Sequence, residues 1–340
     1  MPLDEHEGPY FLGIDLGGTN VRAGVVSNAG ESLAHASRPT QAAQGSEFGL
    51  KNIFQVSEQA VTACSLSWDD IAGIGVAAPG TMDIPAGVLL RPHNLPGWYD
   101  VPIRERIAQH FDKPAILQND ASAAAYGEYW VGAGRHAESL AFWTLGTGCG
   151  SGLIINDLIL EGVHSCGSEC GHIIIEMDNG RLCRSGQYGT LEAYVSATAL
   201  LEICQSKLAE GRETVLTEWI EAGQILTPLL IGQAAEQGDQ LANELIMEMA
   251  RCLGVGTVTL MHAINPATIL IGGAMTFGRH STELGRRFLE RVKQEVRERA
   301  FPVPAERTII DYATLGGSAG YIGAAGCIRR AIRLNEVPEW

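Results

Sequence analysis

The stretch Phe11–Val26, FLGIDLGGTNVRAGVV, constrains the chain more than any other. Phe11 to Ile14 is an apolar run with the character of a buried strand. Asp15 ends it, Gly17, Gly18 and Thr19 turn the chain, and Val21–Val26 is apolar again. Two strands joined through glycines form a hairpin whose tip can bring backbone N–H groups to an anion. Asp15 cannot itself bind a phosphate, because like charges repel; it fits if Mg2+ or its water shell lies between the two. The pattern returns at Leu140–Ile155, LAFWTLGTGCGSGLII, with Thr147 and Gly148 at the tip. Either hairpin alone is an ordinary use of glycine at positive φ. Two of them predict a nucleoside triphosphate held between facing tips.

The chain's 340 residues suffice for two domains, and 46 % hydrophobic residues predict a folded protein. A formal net charge of −15, without any Lys/Arg cluster, argues against nucleic-acid binding. No apolar run reaches transmembrane length, and the acidic start MPLDEHEGPY has no signal-peptide core, so no membrane is expected. Eight cysteines scattered from Cys64 to Cys327 form no disulfide framework. A reduced cytoplasm is the expected setting.

Between the hairpins, strands alternate with helices. Glu31–Pro39 continues the sheet, Glu47–Leu66 has helical spacing, and Ile71–Ala77 reads as a strand buried on both faces. That strand ends in Ala78-Pro79-Gly80, at the carboxyl edge where α/β sheets bind ligands. Asn94-Leu95-Pro96-Gly97-Trp98 is an aperiodic loop in which Trp98 suits packing and Asn94 can offer an amide to a polar ligand. After a helix at Val101–Phe111 and a strand at Ala115–Gln118 come Asn119, Asp120 and an Ala-rich helix former. Asp120 is either a helix cap or a carboxylate fixed to take a proton from a substrate hydroxyl, with Asn119 aligning that substrate.

Past the second hairpin, Glu169, His172 and Glu192 flank short apolar segments. Each alone suits a surface; together they can bind vicinal hydroxyls. Cys166, Cys170, His172 and Cys183 admit a metal reading, although Cys183 has no near partner. Helical segments follow over Thr190–Ala209, Thr214–Ile220, Pro228–Gln237 and Asp239–Ala263. Thr268–Ile271 is a strand running into Gly272-Gly273, a turn that suits a flat adenine or ribose, or plain helix–strand packing. A charged helix at Arg286–Arg299, a strand at Thr308–Ile310 and the Gly-rich Leu315–Gly326 complete the pattern.

Together these motifs resemble the ROK family of sugar kinases and repressors, in the actin-like ATPase superfamily. Asp15-Leu16-Gly17-Gly18-Thr19-x-x-Arg22 is similar to its first phosphate motif, and Leu145-Gly146-Thr147-Gly148 to its second. Asn94–Trp98, Asn119-Asp120, Glu169–His172 and Leu191–Tyr194 are similar to its sugar-binding and catalytic segments, and Leu315–Ala325 to its C-terminal nucleotide-side motif. The resemblance implies an α/β, two-domain actin-like ATPase (ribonuclease H-like) fold with a cleft. The small domain would be 1–119 with a returning helix at about 315–333, and the large one 120–314. It implies Asp120 as catalytic base, and Gly80, Asn94, Asn119, Glu169, His172 and Glu192 around a hexose. MgATP would lie on Asp15, Gly17, Gly18, Thr19, Thr147, Gly148, Gly272 and Gly273.

The family's structural zinc pattern, C-x-C-G-x-x-G-C together with the His, departs here. Ser185 and Thr190 occupy two of the three Cys positions, so the zinc is expected to be lost and no metal ligand is assigned. About ten residues precede the first strand, too few for the repressors' helix-turn-helix. The expectation is therefore a homodimer that phosphorylates the 6-hydroxyl of an aldohexose, glucose foremost, from ATP. An N-acetylhexosamine (GlcNAc or ManNAc) kinase, a non-catalytic sugar sensor and an actin-type ATPase are the alternatives.

Overall fold

The computed structural model describes residues 8–92 and 94–338; the acidic N-terminal residues 1–7 lie outside it. It divides into two compact units. The first holds the described residues up to His136, Gly152–Ser168 and those from Thr314 onward; the second holds Ala137–Ser151 and Glu169–Ala313.

The first unit is built on β1 (Tyr10–Leu16), β2 (Asn20–Val26), β3 (Ser32–Pro39) and β4 (Ile71–Ala78), a small hairpin β5 (Met82–Asp83) and β6 (Val88–Leu89), and β7 (Ala115–Asn119). The main sheet has the order β3-β2-β1-β4-β7, antiparallel from β1 to β3 and parallel across β1, β4 and β7. Register therefore brings Asp15, opposite Ala77, and Asn119, opposite Ala78, to the same carboxyl edge.

Helices α1 (Ser46–Ala63), α2 (Ile103–Phe111), α3 (Asp120–Trp130) and α10 (Ala319–Leu334) cover it. Strand alternation sorts β1 between two cores. Leu12, Ile14 and Leu16 join Ile53, Val56 and Ala60 of α1 and Ile107 of α2, whereas Phe11 joins Tyr321, Ile322 and Ile328 of α10. Glycines let α10 lie on the sheet at backbone distance: a Cβ on Gly13 would stand 1.7 Å from Tyr321 O, and one on Gly75 1.8 Å from Ala324 O. Glu128 of α3 is fully buried, and its carboxyl group accepts from the N–H groups of Ala133, Thr314 and Leu315 and from the Thr314 hydroxyl. A buried carboxyl group is tolerated where its lone pairs are met in this way.

The second five-stranded sheet comprises β8 (Ser139–Leu145), β9 (Cys149–Ile155), β10 (Leu158–Ile159), β11 (Thr268–Gly273) and β12 (Ile309–Tyr312), in the order β10-β9-β8-β11-β12. β8, β11 and β12 run parallel, and the division between the units falls within β9. The second unit's helices are α4 (Ala197–Ala209), α5 (Val215–Glu221), α6 (Pro228–Glu236), α7 (Gln240–Ile264), α8 (Glu283–Arg299) and α9 (Pro302–Arg307). Of the positions whose spacing predicts an inward face on α7, Leu241, Leu245, Met249, Leu253 and Leu260 are buried and Val255 is only half-buried; the Trp143 indole of β8 donates to Thr257 Oγ1 at 3.1 Å. The helix expected from Thr190 starts only at Ala197. Leu191–Ala193 makes a single tight turn, and Ser196, accepting the Ala199 N–H, caps α4 instead. Among the described residues no helix is long and apolar enough to cross a membrane.

Candidate active site

In the first unit the glycine turn between β1 and β2 is tied from two sides. Gly17 N–H donates to Asn20 O at 2.9 Å, and the Thr40 hydroxyl donates to Gly17 O at 2.6 Å. A Cβ on Gly18 would lie 2.7 Å from Asn94 O, so the loop carrying Asn94 lies directly on the turn. That loop is anchored by Leu95 and Trp98, both fully buried, and leaves Asn94 exposed. Thr19 is exposed at the tip. Gly80, at φ +84°, follows β4 and is also exposed.

Asp15, next to last in β1, has its carboxyl group against the start of α10, where a Cβ on Gly320 would come within 2.6 Å of it. Burial, and then the charge of Asp120, push its pKa up to about 6; Arg22, its cross-strand neighbour, pulls the other way. Arg22 is itself directed to Gly317 O, at 2.9 Å. Asp120 is the first residue of α3. The cap is Asn119, whose Oδ1 accepts the Ser122 N–H at 3.1 Å, so the capping alternative for Asp120 falls away. Asp120 Oδ1 instead accepts the Ala121 N–H at 2.8 Å. Burial raises its pKa, opposed by N–H donors at the helix start. The charge of Asp120 reaches Asp15, and an oxygen donor such as the Asp15 carboxylate suits a divalent cation accompanying a phosphate.

In the second unit the tip of the β8–β9 turn exposes Thr147, whose carbonyl accepts the Thr198 hydroxyl at 2.9 Å. Gly148 lies against Glu192: a Cβ there would stand 2.3 Å from its Oε2. Glu192 is half-buried and its carboxylate accepts the Cys149 N–H at 2.9 Å and the Cys183 thiol at 3.1 Å. Thr147, Cys183, Glu192 and Ser196 line one cavity of about 20 Å³. Glu169 is exposed ahead of the turn Cys170–His172, which is seated by Cys170 N–H on Ser151 Oγ at 2.9 Å. Gly272 and Gly273 end β11, and they differ. Gly272 is buried, with space for a Cβ closed by the Phe142 ring at 2.8 Å; Gly273 is exposed at φ +88° and suits a ligand-facing turn.

The zinc donor set does not fit. His172 Nδ1 and Thr190 Oγ1 are buried without a hydrogen-bond partner among the described residues, and Ser185 is exposed, donating to Gln187 Oε1 at 2.7 Å. At the family's pattern positions, hydroxyls in place of two thiolates leave only Cys183 and His172, too few for a closed tetrahedral site, and among the described residues no group of three His, Cys, Asp or Glu side chains is placed to hold a metal ion instead. Sequence reading assigned no role to Gly320, Thr198 or Cys149. Gly320 alone had a signal, its place in a Gly-rich run; the other two act through a hydroxyl and a backbone amide that no spacing advertises.

A model of the ROK family matches residues 11–331. A glucokinase of Halalkalibacterium halodurans is 32 % identical over 321 residues, covering 94 % of this chain and 95 % of that protein. A xylose repressor of Caldicellulosiruptor bescii is 29 % identical over 97 % of this chain and 80 % of its own length. The crystal structure of a ROK family glucokinase from Streptomyces griseus, in complex with glucose and AMPPNP, superposes with a TM-score of 0.78 at 28 % identity, covering 94 % of this chain and 99 % of that one. The architecture shared with it is the actin-like ATPase fold. The chain belongs to the ROK family.

Proposed function

We propose that this protein is an ATP-dependent sugar kinase that phosphorylates the 6-hydroxyl of an aldohexose, glucose being the preferred substrate. The observation that carries the reading is Asp120, a carboxyl group held at the first position of α3 and made more basic by burial. The similarity to glucokinases supports the same substrate.

In this reading Asp120 accepts the hydroxyl proton as the sugar oxygen attacks phosphorus. Asn119 orients the sugar from the preceding residue, and Gly80, Asn94, Glu169, His172 and Glu192 hold its other hydroxyls. Backbone N–H groups of the two glycine turns, with the hydroxyls of Thr19 and Thr147, stabilise charge on the phosphoryl oxygens. Gly272 and Gly273 belong to the nucleotide side. Mg2+ arriving with ATP supplies charge neutralisation, and Asp15 is the residue that would hold it. Excluding water from the bound sugar keeps hydrolysis from competing. A cytoplasmic homodimer completes the proposal on family resemblance, and light scattering checks its stoichiometry.

The test is ADP release from MgATP across a panel of sugars. Saturable turnover with glucose, absent with N-acetylglucosamine and N-acetylmannosamine, supports the reading. A preference for N-acetylhexosamines moves the substrate and keeps the chemistry. No stimulation by any sugar overturns the kinase assignment in favour of a sensor.

A further inference from the structure

Both carboxylate oxygens of Glu192 are engaged within the second unit. Oε2 accepts the Cys149 N–H at the second glycine turn, and Oε1 accepts the Cys183 thiol at 3.1 Å. Cys183 lies in an aperiodic loop, yet its backbone is fixed. Its N–H donates to Gln187 O at 2.7 Å, and its carbonyl accepts the Gly186 N–H at 2.9 Å. The resulting tight turn, closed by the Leu182–Tyr188 bridge, aims the thiol inward, and Cys183 is only 4 % exposed. A thiol is a weak donor in water. Toward a carboxylate, with water largely excluded, it is a directional contact, because charged acceptors strengthen hydrogen bonds. The cavity beside it, about 20 Å³, has room for about one water and is lined by Cys183 and Glu192 together with Thr147 of the turn.

We propose that Cys183 is a positioning residue: its thiol holds the Glu192 carboxylate in the rotamer that braces the second glycine turn and meets the sugar. This rests on the kinase reading above. Without the thiol, the carboxylate loses one of two fixed donors, and substrate must order it on binding. The orphaned Nδ1 of His172 has no part in this contact; the cysteine–glutamate pair adds to the backbone ties of the loop, such as the Ile174–Thr190 bridge, a side-chain contact made to the carboxylate itself.

The experiment compares Cys183→Ala and Cys183→Ser with the wild type, using glucose and MgATP. The expected result for Cys183→Ala is a rise in KM for glucose of about tenfold with kcat within about twofold, the loss of one charged hydrogen bond. Cys183→Ser, which keeps a donor, is expected to recover KM to within about threefold of the wild type. The S–H stretching band absent from Cys183→Ser gives a direct signature: it is expected to move to higher wavenumber in Glu192→Gln, where the acceptor is no longer charged. Wild-type turnover with an unchanged KM in Cys183→Ala overturns this proposal alone. So does an equal loss of KM and kcat in Cys183→Ala and Cys183→Ser together with a lowered Tm, which marks a merely structural cysteine. No sugar turnover by the wild type overturns the kinase reading and this proposal with it.

Discussion

The two glycine turns share a grammar and differ in where their carboxylate comes from. The turn after β1 inherits Asp15 from its own strand, half-buried, where burial and the charge of Asp120 raise its pKa, so its charge is held at a cost. The turn after β8 has no acid of its own. It borrows Glu192 from 43 residues away, and there both oxygens have donors. The carboxyl group delivered by the strand has its pKa raised, whereas the carboxylate delivered by a distant loop has a donor on each oxygen. Repeated local sequence thus sets the backbone of a turn, and long-range contacts set its electrostatics.

The strongest way to sharpen this contrast is Asp120→Asn. Turnover with glucose is expected to fall about a thousandfold, while calorimetry still detects sugar binding. The same change removes the charge that helps raise Asp15, so NMR titration is expected to find a lower Asp15 pKa in Asp120→Asn than in the wild type. Next is Glu192→Ala, which takes the brace from the second turn. A loss of about a hundredfold in kcat/KM is expected, for two hydrogen bonds to a charged group; a loss under about threefold would break the comparison.

Asp15→Asn tests the cost at the first turn. Asp15 has a higher pKa folded than unfolded, so the folded protein binds the proton more tightly. The penalty of burying its charge is in full force above pH 6 and is lifted as pH falls from 6 toward 4. The interval from 3.8 to about 6 spans 2.2 pH units, at most about 3 kcal/mol. Urea melts without nucleotide are expected to show Asp15→Asn stabilised by up to that amount at pH 8 and indistinguishable from wild type at pH 4. Gly18→Ala and Gly146→Ala form the mildest pair. A Cβ at Gly18 meets Asn94 O at 2.7 Å, whereas one at Gly146 meets nothing within 4 Å. Thermal melts are expected to register the first and to leave the second within about 0.5 kcal/mol of wild type.

Much of this was legible in the residues. Both hairpins, the strand Ile71–Ala78 and the helix beginning at Asp120 announce themselves through apolar runs, glycines and an Ala-rich stretch. The loop from Gly162 to Tyr194 was not, because it has no period: its shape comes from single bridges such as Ile174–Thr190. The overlong helix at Thr190 arose there too, where Leu191 and Tyr194 mimic helical spacing ahead of the true cap at Ser196. Candidate side chains could be named from motif resemblance, but the partners of Glu192 could not. One is a backbone amide at the start of β9, and the other a thiol in an irregular turn.

The glycines that open the first sheet to α10 have a consequence for synthesis. β1, β4 and β7 are synthesised before the second unit, whereas Ala319–Leu334 follows it. Until then Phe11 and Val26 lack the aromatic and aliphatic cover of Tyr321 and Ile328. The nascent chain therefore carries an unfinished apolar face through the whole translation of the second unit, the kind of surface that recruits chaperones or aggregates. A premature stop before Ala319 makes that state permanent. The first unit to be started is the last to be completed.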